Sequence, residues 1–236
     1  MAVSVVARLV NQGAAPSSPQ VSVPSTILSR LRLETRAEHD AVERLLDLMG
    51  ASLTFEAYRQ RLAQFYGFYA PLEAALRIRC TRPDEVRGGS ALQLVTLLPR
   101  LNKTDLLRRD LHYLGVSTDA LPLCSHLPSI KTYAELLGCM YVMEGATLGG
   151  RLITQHIQAN FGITPATGGG FFEGYAGDTG KMWQAMRHLL VNCASDIKTE
   201  NAMVANAIAT FACLRGWCGL RSAYATNDAE IDKEAN

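Results

Sequence analysis

His39 interrupts the apolar stripe of the first predicted helix, and an imidazole at such a position can ligate a metal ion. Apolar side chains recur around it at steps of three or four residues, as at Leu31, Val42 and Leu46, which is the spacing of one helical face. Glu43 follows one turn later and can accept the proton of Nδ1, leaving Nε2 free as an acceptor or metal ligand. The alternative is a core histidine whose polar atoms are satisfied by Glu43 or by a backbone carbonyl.

Two arginines precede this histidine on or beside the same helical face. Arg32 lies seven residues and Arg36 three residues before His39. Guanidinium groups recognise carboxylates and phosphates through paired hydrogen bonds. The arginines therefore indicate a ligand with anionic groups, unless they form an ordinary solvated flank.

A second segment, about a hundred residues further on, contains four glycines within a helical pattern. They are Gly138, Gly145, Gly149 and Gly150, and each costs about 1 kcal/mol relative to alanine inside a helix. The first three share one face, which is flanked by Val142 and carries no side chains. Such a face permits close packing of another helix or close approach of a flat ligand, and the adjacent glycine pair favours a kink.

The two segments together predict a planar, anionic, metal-containing ligand between the first helix and the glycine helix. His39 would lie on one face of this ligand and glycine backbone on the other. Heme has this chemistry, since its iron takes an imidazole ligand and its carboxylates pair with arginines.

The same residues resemble the motifs of a known family. Leu31-Arg32-x-x-Thr35-Arg36-x-x-His39-x-x-x-Glu43 resembles the proximal helix of heme oxygenases, and Gly145-x-x-x-Gly149-Gly150 resembles their distal helix. The lead-in Tyr141-Val142-Met143-Glu144 and the segment Asp110-Leu111-x-x-Leu114-Gly115 are most similar to the bacterial branch that is linked to phytochromes. The resemblance covers about residues 26–224.

The resemblance implies a role for each matched residue. His39 would be the axial iron ligand and Glu43 its hydrogen-bonding partner, while Arg32, together with Arg36, would lie near the heme propionates. On the distal side, Gly145 and Gly149 would bring bare backbone close to the porphyrin.

Three further residues complete the implied heme site. Val142 would line it beside the distal glycines, and Arg187, in Trp183-Gln184-Ala185-Met186-Arg187, matches a propionate-facing arginine. Phe211 falls where the family has a phenylalanine near the heme edge. By residue type alone, Phe211 is an ordinary core residue and Arg187 a solvated one.

The activity implied by the resemblance is cleavage of heme to biliverdin, the α isomer, with release of CO and Fe²⁺. Heme would be both substrate and prosthetic group. O₂ would be consumed, and an external donor such as a ferredoxin or a reductase would supply electrons, because no flavin or nicotinamide motif is found. A phytochrome is the implied acceptor of the product, as its chromophore.

One position departs from the family pattern. Mammalian-type members have an aspartate directly after the first distal glycine, where it organises water, and this chain has Ala146. Alanine cannot relay a proton, so backbone groups, Thr147 or another polar side chain must do so.

The sequence pattern around these residues is helical throughout and shows no sustained strand alternation. It predicts an all-α, single-domain helical bundle, and the resemblance implies the heme oxygenase type. Residues 1–24 are expected to be a flexible arm, 25–225 the helical domain and 226–236 a polar tail. Residues 162–180 contain seven glycines and are expected to be a loop. The predicted helices span residues 25–49, 54–79 with a kink at Pro71, 104–114, 132–161, 181–196 and 199–224, with a segment 92–101 interrupted by Pro99.

Composition narrows the class of protein. The chain has 236 residues, a formal net charge of +1 and 48% hydrophobic residues, which disfavours a nucleic-acid-binding surface and an acidic disordered chain. No apolar run approaches the roughly 20 residues that span a bilayer, so no membrane partner is expected. The six cysteines lack Cys-x-x-Cys spacing, which fits free thiols and a cytoplasmic protein.

Two other functions remain open from the residues. One is a heme carrier or sensor that uses the same pocket without chemistry. The other is a protein of this fold that binds a different small ligand or a partner protein.

Overall fold

The fold is all helical over the part of the chain that the computed structural model describes. This part comprises residues 26–82 and 86–234, with side chains through Leu220 except at positions 91 and 92. The arm expected at residues 1–24 lies outside it. The α-helices are α1 (Ile27–Glu34), α2 (Arg36–Leu46), α3 (Phe55–Thr81), α4 (Ala91–Val95), α5 (Lys103–Tyr113), α6 (Tyr133–Phe161), α7 (Gly170–Glu173), α8 (Thr179–Cys193) and α9 (Ile197–Glu234).

The first predicted helix is two helices that meet at Thr35. The Thr35 hydroxyl donates to the carbonyl of Leu31 at 2.6 Å, and its backbone N–H also returns to Leu31, which ends α1. The backbone N–H of His39 then bonds to the carbonyl of Thr35 and starts α2. The prediction of one continuous helix is therefore wrong, and the break lies at Thr35. A threonine side chain that bonds back to the preceding turn competes with continuation of the helix.

The predicted N-termini of two helices, each with a clear capping residue, are confirmed. Thr54 caps α3 by accepting from the N–H of Ala57, and Thr132 with Glu135 forms the expected capping box of α6. Helix α3 continues through Pro71 to Thr81. Each cap satisfies backbone donors that the first helical turn leaves free.

The glycine-rich segment 162–180 contains more structure than expected. Short 3₁₀ turns at Pro165–Thr167 and Ala176–Asp178 flank α7, and α8 already begins at Thr179. Helix α9 likewise extends to Glu234, beyond the predicted end at residue 224 and through most of the expected polar tail. Tertiary packing therefore orders residues 170–173, where Phe171 and Phe172 are buried although the glycine content suggested a loop.

Helix α9 organises the bundle, because it packs against α6, α2, α1 and α3. Its segment Ile197–Leu220 is long and apolar enough on average to cross a membrane by length and composition, although it contains charged residues such as Lys198 and Arg215. Residues Met203, Val204, Ala207 and Leu214 of this segment are nonetheless buried among the other helices. Its apolar character thus serves the core of the bundle.

Candidate functional site

His39 lies in a half-open position on α2, with its ring against α9. Its side chain is 29% exposed, and its ring meets that of Phe211 edge to face, with centroids 5.6 Å apart. Nδ1 lies 3.8 Å from Oε2 of Glu43 and 3.6 Å from Oδ1 of Asp40. The structure thus brings His39, Glu43 and Phe211 together as predicted, and it adds Asp40, which periodicity did not single out.

The electrostatics of this group depend on its partial burial. Burial raises the pKa of the Glu43 carboxyl, and the neighbouring charge of Asp40 raises it further, while His39 lowers it. Desolvation disfavours a charged carboxylate. A cationic partner on the Nδ1 side would therefore relieve a real electrostatic cost.

The two arginines of the first helices are exposed. Arg36 makes a loose ion pair with Asp40 at 3.6 Å. Arg32 lies close enough to Tyr141 for its charge to lower the pKa of the phenol, although burial raises that pKa overall. Arg32 thus lies near the residue one turn before Gly145 on the glycine helix.

The side chains of Thr35 and Tyr141 lie close to each other, so the histidine helices approach the glycine helix at this point. Thr35 lies one turn before His39 on the chain, and Tyr141 lies one turn before Gly145. The contact therefore places the turn before His39 beside the turn before Gly145.

The glycines of α6 divide into two groups. A Cβ on Gly138 would lie 2.5 Å from the carbonyl oxygen of Met203 on α9, and a Cβ on Gly150 would overlap the carbonyl of Phe172 on α7. A Cβ on Gly145 would meet nothing within 4 Å. Gly138 and Gly150 therefore serve helix packing, as the alternative interpretation held, whereas Gly145 leaves open space. Gly149 is buried.

The remaining predicted residues occupy different surroundings. Val142 is buried in the core at 4% exposure, whereas Ala146 is exposed. Arg187 is exposed on α8 and lines a cavity of about 330 Å³ with Leu28 of α1. The hydroxyl of Thr147 donates to the carbonyl of Glu144 at 2.6 Å, so its single proton is already engaged within α6.

A buried charged network lies directly behind the open turn of α6. Glu144 forms a buried ion pair with Arg100 at 2.5 Å, and its other oxygen accepts from the Tyr175 hydroxyl at 2.7 Å. Arg100 also donates to the carbonyl of Met182 on α8. The Lys103 ammonium lies 4.2 Å above the Tyr175 ring, and burial lowers its pKa. This network fixes the turn that carries Gly145 to α8.

Sequence reasoning missed this network almost entirely. Glu144 stands as an acidic residue among apolar and small residues, and that was the only local signal. Its partners Arg100, Lys103 and Tyr175 are distant in sequence and follow no spacing rule. A second buried carboxylate, Asp110, similarly accepts the N–H groups of Gly170 and Phe171 and holds α7 in place.

These features define an all-helical protein with an imidazole on α2, an open glycine turn on α6, and exposed arginines on α1, α2 and α8. Residues 25–218 match the family described as heme oxygenase. The chain belongs to the heme oxygenase family, whose members are heme-degrading monooxygenases that bind heme as substrate and prosthetic group.

Solved structures with the same fold agree with this assignment. The NO- and CO-bound heme oxygenase from Neisseria meningitidis is 21% identical, with a TM-score of 0.63, covering 82% of this chain and 92% of that one. Heme oxygenase from Leptospira interrogans is 20% identical, with a TM-score of 0.64 and coverages of 82% and 98%. Heme oxygenase 2 from Chlamydomonas reinhardtii, solved without heme, is 16% identical, with a TM-score of 0.64 and coverages of 82% and 96%. No functionally curated protein matches the chain significantly.

Proposed function

We propose that this chain cleaves heme with O₂ and externally supplied electrons to the α isomer of biliverdin, CO and Fe²⁺, with His39 as the axial iron ligand. The observation that carries this proposal is the pairing of a half-open imidazole, His39 on α2, with an open turn at Gly145 on α6, since both helices pack on α9. An imidazole and a helix turn without a side chain, on helices that share a neighbour, suit a planar iron porphyrin.

The residues around His39 prepare its imidazole for iron. The nearby Glu43 carboxylate favours the imidazole form with its proton on Nδ1 and its lone pair on Nε2, since a neutral imidazole has one donor and one acceptor nitrogen. The edge of Phe211 limits rotation of the ring. Heme, once bound through Nε2, supplies the iron at which O₂ is activated.

The arginines hold the ligand's carboxylates. Arg32 and Arg187 are exposed cations on α1 and α8, and Arg36 lies one turn beyond Arg32 on α2. Guanidinium–carboxylate pairs restrict rotation of the ring in its plane. This restriction, with Val142, Gly145 and Gly149 on the distal side, selects the meso carbon that is cut.

Proton delivery in this chain does not use an aspartate after Gly145. Ala146 has no polar atom beyond its backbone, and Thr147 already donates to Glu144. The backbone groups beside Gly145 are therefore the chain's own groups for orienting water there. The closed packing of Gly138 and Gly150 keeps this turn in place.

The proposal includes partners and a location. A ferredoxin or a reductase supplies electrons, a phytochrome receives biliverdin as its chromophore, and the protein works in the cytoplasm. The bacterial-branch motifs around Tyr141 and Asp110 support the phytochrome link.

Addition of hemin, followed by a reductant under air, tests the activity. We expect a saturable Soret band that decays into the spectrum of biliverdin, and chromatography of the product identifies the isomer. His39→Ala should abolish normal axial ligation and reduce turnover at least 100-fold. A Soret band that stays stable in the wild type would indicate a carrier, and no saturable band would indicate another ligand; either result overturns the proposal.

A further inference from the structure

We propose that His39, Asp40 and Glu43 form a second metal site, which takes a divalent first-row transition-metal ion on the Nδ1 side of the imidazole. The assignment of its natural ligand, the Fe²⁺ released from cleaved heme, rests on the proposed function. The site itself depends only on the three side chains.

The geometry of the three side chains suits a metal ion. One ligand atom from each residue lies within 4.8 Å of the others, and Nδ1 of His39 is 3.6 Å from Asp40 and 3.8 Å from Glu43. An ion with bonds of about 2.0–2.2 Å draws its ligands to within about 4.4 Å of one another. Rotation of the Glu43 side chain closes the remaining few tenths of an ångström.

The charges around the imidazole also favour binding of a cation. Two partly buried carboxylates, Asp40 and Glu43, flank the imidazole, so the group carries negative charge that a cation would balance. Arg36 is 3.6 Å from Asp40, beyond hydrogen-bonding distance, so both oxygens of Asp40 can still coordinate. The nearby Glu38 is instead engaged by Arg215 at 2.8 Å and does not belong to the site.

The chemistry of the donors selects the class of ion. One imidazole nitrogen and two carboxylate oxygens suit Fe²⁺, Zn²⁺, Mn²⁺ or Co²⁺ better than a soft ion that prefers thiolates. In the proposed reaction, Fe²⁺ is set free next to His39. The two carboxylates provide the oxygen ligands that replace the lost porphyrin nitrogens.

Occupation of this site and binding of heme exclude each other. A cation on Nδ1 takes that atom's lone pair, so the proton of the neutral imidazole moves to Nε2. Nε2 then has no lone pair for heme iron. A bound divalent ion therefore reports a state of the protein in which His39 does not hold heme iron.

Titration of the full, heme-free chain with Co²⁺ tests the site, because bound Co²⁺ has a visible spectrum. We expect one saturable site in the wild type and at least tenfold weaker binding in Asp40→Asn. The matched control is Asp105→Asn, which also removes a carboxylate paired with an arginine, here Arg108, but has no histidine beside it. Equal Co²⁺ affinity in Asp40→Asn and wild type would overturn the proposal.

Competition provides a second, independent readout. Zn²⁺ should raise the apparent Kd for hemin at least fivefold in the wild type and in Asp105→Asn, and much less in Asp40→Asn. An unchanged Kd in all three proteins would refute the mutual exclusion. Failure of hemin to bind would refute the proposed function alone, since the Co²⁺ titration contains no heme.

Discussion

Gly138 and Gly145 lie seven residues apart on one face of α6, yet they meet different surroundings. Gly138 is pressed against the backbone of α9, and Gly145 borders open space. Because α9 covers the first glycine and not the second, an identical substitution at the two positions separates the packing role from the ligand role.

Gly145→Ala should raise the stability of the heme-free protein by about 0.5–1 kcal/mol, since alanine favours a helix over glycine and the new methyl meets nothing. Gly138→Ala should lower it by about 1–3 kcal/mol through overpacking against Met203. Urea unfolding measures both changes. Weaker hemin binding in Gly145→Ala, despite its higher stability, would mark the open turn as part of the ligand site. Equal destabilisation of both variants would contradict this division.

The residues of the site differ in how far sequence could find them. His39 and Glu43 were predictable, because a polar residue in an apolar stripe violates helical periodicity and a partner one turn away is local. Asp40 was missed, since its contact with Nδ1 depends on side-chain rotation and follows no helical spacing. The split roles of Gly138 and Gly145 depend on where α9 crosses α6, which is a tertiary fact.

At the scale of elements, Arg100 connects three parts of the molecule. It pairs with Glu144 on α6 and donates to the carbonyl of Met182 at the start of α8. Tyr175, between α7 and α8, donates a hydrogen bond to the other carboxylate oxygen of Glu144. The helix that carries Gly145 and the helix that carries Arg187 are thereby held together by one buried ion pair.

Removal of either partner of the Arg100–Glu144 pair should lower the stability of the folded protein. Arg100→Met or Glu144→Gln should each lower the unfolding free energy by about 3–5 kcal/mol, because a charge is left buried without its partner. The double variant should lose less than the sum of the two. Urea unfolding of all four proteins gives the coupling energy.

An exposed pair provides the control for that cycle. Lys181 and Asp178 pair at 3.1 Å with both side chains largely exposed, and such pairs contribute about 0–1 kcal/mol. A coupling energy for Arg100 and Glu144 no larger than that of the exposed pair would show that the network does not fix α6 to α8.

Helix boundaries were predicted well where a cap is local and poorly where packing decides. Thr54 and the Thr132–Glu135 box set helix starts through their own side chains. The order in residues 170–173 instead comes from Asp110, sixty residues earlier in the chain. The break at Thr35 has a local cause, but a threonine in a helix interior is too common to predict it.

At the scale of the whole molecule, α2 and α6 both pack on α9, and they approach each other through Thr35 and Tyr141. A ligand held between them adds contacts to helices that are distant in sequence. Heme should therefore stabilise the whole bundle against cooperative unfolding, and not only the turns around His39.

The expected size of this effect follows from linkage. Hemin at 100 times its Kd stabilises the folded state by about 2.7 kcal/mol, which raises the Tm of a domain of this size by about 5–10 °C. Thermal unfolding with increasing hemin, followed by far-UV circular dichroism, measures the shift. In His39→Ala the shift should shrink to less than half, because the iron loses its protein ligand while the arginines still bind the carboxylates. An equal shift in both proteins would mean that heme binds away from His39, so that α2 would not form one side of the site.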